Sequence, residues 1–333
     1  MDWTPYAVVV VLAFAASFAG TGLILRLLRS RAILDHPNER SSHSRPTPKG
    51  AGIVVVAVIL ATWLGLGWGT PVAGTTRVVV AAAFGLALLS WLDDLKGLNP
   101  LVRLLGHVAA VASVLALAPP ASPFFGGILP RPLDMAAAAL LWVWFINLFN
   151  FMDGIDGIAG TETVAIGLGV ALVAAATPLS PAFAVYGLVV AVGALGFLWW
   201  NWHPARTFLG DVGSVPLGFL LGWLLLGLAK NGQWAPALIL PLYYLADATI
   251  TLARRVLRGE TVWHAHREHF YQLAVRRGLG HADVVYRVLL ADAALVVLAV
   301  AAARGWVWAA LLGAVAVVSW LLAVLGGGRR AAT

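Results

Sequence analysis

Apolar residues in this chain come in long blocks separated by short polar interruptions. The blocks fall near residues 6–25, 51–68, 77–92, 102–118, 135–150, 161–177, 183–200, 215–230, 236–253, 284–303 and 306–325, eleven in all. Each spans roughly 16–20 residues, about what a helix needs to cross the hydrocarbon layer of a bilayer. A helix satisfies every backbone group internally, so it is the element such blocks form in lipid. The pattern therefore predicts an all-α polytopic membrane protein of about eleven transmembrane helices, with residues 1–333 as one integral membrane domain. Several blocks are rich in Ala, Val and Gly, which allows close helix approach.

Composition agrees with the pattern. The 333 residues are 61% hydrophobic and 11% charged, against about 25% charged in an average soluble domain. Fifteen Trp suit the interfacial belts of a membrane protein. With no cysteine, disulfide scaffolds, thiolate metal sites and Cys nucleophiles are excluded. The net charge of +7 would fit a nucleic-acid partner only if the basic residues were pooled, and they are scattered over short loops instead. The first block is preceded only by Asp2 and followed at once by Arg26, Arg29 and Arg31. That polarity is opposite to a cleaved signal peptide and predicts an uncleaved span with the N-terminus outside. The cytoplasmic segments are then about 26–50, 93–103, 151–160, 201–214 and 254–283, plus the tail. Counted with these, and with Arg287 just past the last loop, 18 of the 22 Lys and Arg lie inside, as the positive-inside rule requires.

The polar clusters share that side: "DHPNERSSHSRPTPKGAG" (35–52), "WLDDLKGL" (91–98), "NLFNFMDGIDGIAG" (147–160), "NWHPARTFLGDVGS" (201–214) and "RRVLRGETVWHAHREHFYQ" (254–272). Asp93, Asp94, Asp153, Asp156 and Asp211 all sit at or just past the inner ends of spans. Gathered at one face, such carboxylates repel one another unless a cation offsets them. Asp and Asn oxygens without Cys suit a hard ion such as Mg²⁺, with phosphates and water completing its octahedron. Taken singly, the Asp93–Asp94 pair reads equally well as helix-end chemistry, and "DGIDG" as a Gly-rich turn. "FLGDVGS" offers a carboxylate beside exposed backbone N–H groups, suited to a metal-bound phosphate or to a structural turn.

The last loop carries His264, His266 and His269 near Arg254, Arg255, Arg258 and Arg267. It contains neither HExxH nor HxxEH, and Arg neighbours disfavour a cation, so a phosphate or a diphosphate fits better than zinc. Anionic lipid headgroups are the alternative for this loop, and for the first loop with Arg40, His43, Arg45 and Lys49.

In this order, the five clusters resemble the polyprenyl-phosphate N-acetylhexosamine-1-phosphate transferase family, of glycosyltransferase family 4 type. That family includes the enzymes that initiate O-antigen and the phospho-MurNAc-pentapeptide transferase. The resemblance covers about residues 30–285, and "HAHREHFYQ" has the form associated with the O-antigen-initiating branch. It implies that a UDP-N-acetylhexosamine passes its sugar-1-phosphate to undecaprenyl phosphate with release of UMP, in a bacterial inner membrane. It also implies Mg²⁺, or Mn²⁺ in its place. On this resemblance Asp211 and Asn150 hold the metal, and Asp93 and Asp94 position the lipid phosphate or metal. Asn147, Asn150, Asp153 and Asp156 line the nucleotide-sugar pocket, with Asn201 a further candidate, and His266, Arg267 and His269 bind diphosphate or sugar. The partners are the two substrates and membrane lipids, with no nucleic acid. A homodimer, the identity of the sugar and a one- or two-step route are left open. The rival class is a secondary transporter, in which acids such as Asp247 and Asp292 would bind ions at mid-bilayer. For Asp247 the sequence also offers a structural pairing with Arg254, two turns on.

Overall fold

A computed structural model describes residues 4–37, 42, 45–70, 72–261 and 266–327. Helices α1 (Thr4–Ser30), α2 (Gly52–Gly67), α3 (Ala73–Lys96), α4 (Pro100–Leu117), α5 (Arg131–Phe151), α6 (Ile158–Ala175), α7 (Pro181–Asn201) and α8 (Asp211–Lys230) take up the first eight apolar blocks in turn. Then come α9 (Trp234–Ile239), α10 (Leu242–Leu257), α11 (Phe270–Arg276), α12 (His281–Ala303) and α13 (Val307–Gly327). Nine of the described helices are long and apolar enough to cross a membrane, and α2 is a shorter apolar one of 16 residues. The chain is an all-α polytopic membrane protein.

The ninth block departs from expectation, because it is two helices and not one. Pro241 lies between α9 and α10. Proline has no N–H to give to the preceding turn, and its ring clashes with the carbonyl four residues back, so the helix stops and restarts there. The loops at the polar end are also shorter than hydropathy suggested. Asp93 and Asp94 belong to the last turns of α3, and only residues 97–99 separate α3 from α4. Gly97 ends α3 in the left-handed conformation at φ 66°, and its N–H returns to the Asp93 carbonyl. Asn99 then caps α4 by accepting from the Leu101 N–H at 2.9 Å, with Pro100 in the first helical position. Gly, Asn and Pro are the residues that these three positions favour.

Helix α8 is the central one, buried along most of its length and packed against α2, α3, α5 and α9. A side chain at Gly52 would bring its Cβ within 2.4 Å of Gly213 Cα, so α2 and α8 touch backbone to backbone. The first loop is drawn onto this contact. Strands β1 (Leu34–Asp35) and β2 (Thr47–Pro48) pair antiparallel, and Lys49 bridges to Phe208 in the segment that leads into α8.

Candidate active site

The polar clusters converge at one end of the bundle, around a cavity of about 810 Å³. Its walls include Asp93, Arg103, His107, Asn147, Asn150, Asp211, His266, His269 and Gln272, with Leu101, Leu104, Phe151 and Val215 among the apolar ones. Helices α3, α4, α5 and α8 and the segment entering α11 therefore meet there. Polar groups line one region of an otherwise oily opening, a combination suited to a ligand with a charged head and an apolar body.

The acids are not equivalent. Asp94 is saturated. One carboxylate oxygen accepts from the Asp211 N–H at 3.2 Å, the other from the Val212 N–H at 3.0 Å, and Lys49 Nζ stands 2.7 Å away. This places a carboxylate at the N-terminus of α8, where the helix dipole and free N–H groups favour it. Asp93 is nearly as occupied, accepting from the Leu98 N–H at 2.6 Å and from Arg103 at 3.0 Å. Burial alone would lower the Lys49 pKa, but Asp211 and Asp94 together raise it above its ordinary value.

Asp211 is different. Its side chain is 24% exposed and faces the cavity, with Arg103 at 3.5 Å. The Asn150 side chain hydrogen-bonds Asp211, and its Nδ2 also donates to Ser214 Oγ at 2.8 Å. The Asn150 carbonyl oxygen is thereby left to accept or ligate. Asn147 sits one turn earlier on α5, donates to the Val143 carbonyl at 2.7 Å and hydrogen-bonds His107.

One expectation for "FLGDVGS" is overturned. Its backbone N–H groups do not offer an anion nest, because those of Asp211 and Val212 are donated to Asp94 and those of Gly213 and Ser214 to the Gly210 carbonyl. A Cβ at Gly210, where φ is +75°, would meet Asp94 Oδ2 at 2.8 Å, so the glycine is what lets the acid in.

Asp153 and Asp156 stand on the α5–α6 turn but outside the cavity lining. Asp153 is pushed up to about 7 by burial and then by the negative charge of Asp211. Asp156 is tied down: His203 Nδ1 lies 2.6 Å and His281 Nδ1 3.3 Å from Oδ2, and the Ala205 N–H donates at 3.1 Å. Burial opposes ionisation, but the His281 and His203 hydrogen bonds hold its pKa below the ordinary value. The donor atoms of Asp156, His203 and His281 lie within 4.8 Å of one another, yet the 2.6 Å contact is a hydrogen bond and leaves no room for an ion between them. Asn201 stitches the same region, accepting from the Gly157 N–H and donating to the Thr207 carbonyl.

In the last loop, His266 and His269 face the cavity with ring centres 5.0 Å apart. Burial, then His269 and Arg255, lower the His266 pKa to about 4, so at neutral pH it is an uncharged hydrogen-bonding group. Arg267 stands half-buried beside it, outside the cavity lining. Arg255 and Arg258 are held in ion pairs with Glu260 and Glu268 and do not face the cavity. Asp247 does not pair with Arg254. It points inward and accepts from His269 Nδ1 at 3.1 Å and from the Phe270 and Tyr271 N–H groups, capping α11, while Arg254 is exposed and lies over the Phe270 ring. His264, Arg40 and His43 lie outside the described residues.

Two residues that the sequence reading overlooked as site groups are Arg103 and His107. Their spacing carried a signal: four apart on α4, they share a face, and that face looks onto the i, i+3 pair Asn147 and Asn150. Lys49 appeared only as one basic group in a loop.

The geometry defines an integral membrane protein with an acid-and-base site at helix ends. Residues 76–229 match the family model described as glycosyl transferase family 4. The chain is 27% identical over 316 residues to a probable undecaprenyl-phosphate N-acetylglucosaminyl 1-phosphate transferase of Bacillus subtilis, covering 91% of this chain and 87% of that protein. It is 28% identical to a decaprenyl-phosphate N-acetylglucosaminephosphotransferase of Mycobacterium tuberculosis, over 85% of this chain and 79% of the relative. It is also 28% identical to a phospho-N-acetylmuramoyl-pentapeptide-transferase of Enterococcus hirae, over 76% and 84% respectively. The chain belongs to glycosyl transferase family 4.

Proposed function

We propose that the protein transfers N-acetylhexosamine-1-phosphate from a UDP-sugar to undecaprenyl phosphate, giving undecaprenyl-diphosphate-sugar and UMP. This would be the initiating step of a cell-envelope glycan such as O-antigen, performed at the cytoplasmic face of a bacterial inner membrane. The observation that carries the reading is a contrast among three neighbouring acids: unlike Asp93 and Asp94, Asp211 keeps a partly exposed carboxylate on the cavity, and Arg103, His266 and His269 line the same space. The names of the three relatives support the substrate class.

A phosphomonoester is largely a dianion at neutral pH, so the lipid phosphate can serve as its own nucleophile without a strong base. Its attack on the donor diphosphate brings anions together. Arg103, whose guanidinium reaches both Asp93 and Asp211, offsets part of that charge, and neutral His266 donates a hydrogen bond. The apolar walls seat the prenyl chain beside its phosphate. A hard divalent ion fits the oxygen donors Asp211 and the Asn150 carbonyl. When bound, Mg²⁺ would neutralise diphosphate charge and orient the transferred group.

The test is transfer from a panel of UDP-N-acetylhexosamines, including the 6-deoxy sugars, to undecaprenyl phosphate by purified protein. UMP release with formation of a lipid-linked product is expected for at least one sugar. Failure with every sugar, in folded protein supplied with Mg²⁺ or Mn²⁺, sinks the reading.

A further inference from the structure

Two further acids lie inside the bundle, just past the start of α6 and midway along α12. Glu162 in α6 and Asp292 in α12 are 0% and 1% exposed, on two helices that pack together. Their carboxyl groups come within hydrogen-bonding range of each other. Among the described residues, no donor reaches any of their four oxygens. On α10, the Tyr244 hydroxyl is likewise fully buried and, among the described residues, without a hydrogen-bond partner. Neighbouring Tyr243 gives its own hydroxyl to Asp247 at 3.4 Å.

Ionised carboxylates in contact repel strongly where the dielectric is low, and even one costs several kcal/mol to bury unpaired. An ionisable group inside a membrane domain calls for a partner, and neither Arg nor Lys supplies one here. We propose that Glu162 and Asp292 form an intramembrane cation site between α6 and α12, taking a proton or Na⁺. A monovalent ion fits better than Mg²⁺, which gives up its water reluctantly.

The position gives the site a purpose. Helix α6 begins just after Asp156, and α12 begins at His281, which contacts Asp156. The same two helices are thus joined at the polar end by that contact and deeper by the cation, whose binding holds the α5–α6 turn in place. The effect on turnover rests on the transferase reading. Binding does not, and the experiment reads binding.

The full chain in nanodiscs is compared with its Glu162→Gln/Asp292→Asn variant, which keeps shape and hydrogen-bonding capacity but cannot ionise. Infrared spectra in choline chloride report the proton: the carbonyl stretch of a buried carboxylic acid is expected in the wild type and is lost in the variant. Melting in NaCl against choline chloride at equal ionic strength reports Na⁺: the wild type should melt roughly 2–4 °C higher in NaCl and the variant should not respond. Either signature supports the site and names its ion. Identical spectra together with identical salt responses overturn it. If the double variant does not fold, Glu162→Gln alone is measured in the same way with the same criteria.

Discussion

Asp94 and Asp211 are neighbours at one helix junction, and they do opposite work. Asp94 ends α3 with its side chain 3% exposed, its oxygens taken by Lys49 and two amides of α8. Asp211 begins α8 and keeps its carboxylate turned to the cavity. A carboxylate whose acceptor sites are filled has fixed its surroundings and has little left to offer a ligand. One with a free face can take an ion. The pair separates scaffold from chemistry within a few ångströms, although both are equally acidic in sequence.

The sharpest way to break that contrast is Asp211→Asn. If Asp211 holds the metal, turnover should fall by more than about 100-fold with melting unchanged, because an amide oxygen is a much weaker ligand. Near-normal turnover at limiting Mg²⁺ would remove Asp211 from that role.

Asp94→Ala should have the converse signature. It strands the Lys49 ammonium and two amides, and is expected to destabilise the fold by about 3 kcal/mol. Thermal melts decide, and adding Lys49→Met should recover part of the loss. A variant that melts normally but does not turn over would make Asp94 a chemical group after all.

Arg103→Met tests the link between the two acids. A charged hydrogen bond contributes about 1.5–3 kcal/mol, so kcat/KM should drop by at least about tenfold. An unchanged value would leave Arg103 as a structural partner of Asp93 only.

The smallest effect concerns Asp153, whose pKa is raised to about 7. Its neutral form is favoured in the folded state, so its contribution to stability is full below the ordinary carboxylate range and is lost as pH rises towards 7. In metal-free protein, Asp153→Asn should therefore raise the melting temperature near pH 8 and leave it unchanged near pH 4. A rise of equal size at both pH values would place its cause elsewhere.

Much of the molecule was readable beforehand, for identifiable reasons. Hydropathy locates the spans because lipid imposes one rule on every residue of a crossing helix. Gly97, Asn99 and Pro100 announce the α3–α4 turn because each position has its own steric demand. Asp211 could be picked from its turn. What stayed hidden was charge pairing over distance. Lys49 reaches Asp94 only because β1 and β2 lay the first loop against Phe208, and no local pattern encodes that contact. The pairing with Arg254 that the sequence offers for Asp247 does not form, because helical spacing names neighbours along one face, whereas its partners are His269 and the first amides of α11. Glu162 lay unnoticed inside an apolar block, since one acid hardly changes a hydropathy average.

The clamp on Asp94 also has a place in time. Translation delivers Lys49 first, Asp94 next, and the amides of Asp211 and Val212 only after four more helices have been made. Until then the acid at the end of α3 has neither its backbone donors nor the Phe208 segment that brings Lys49 to it, and the junction cannot close. Completion of the first turn of α8 is thus the event that locks the amino-terminal helices to those that follow. A chain stopped before Gly210 would carry every residue of the paired-acid motif and still lack the contact that fixes it.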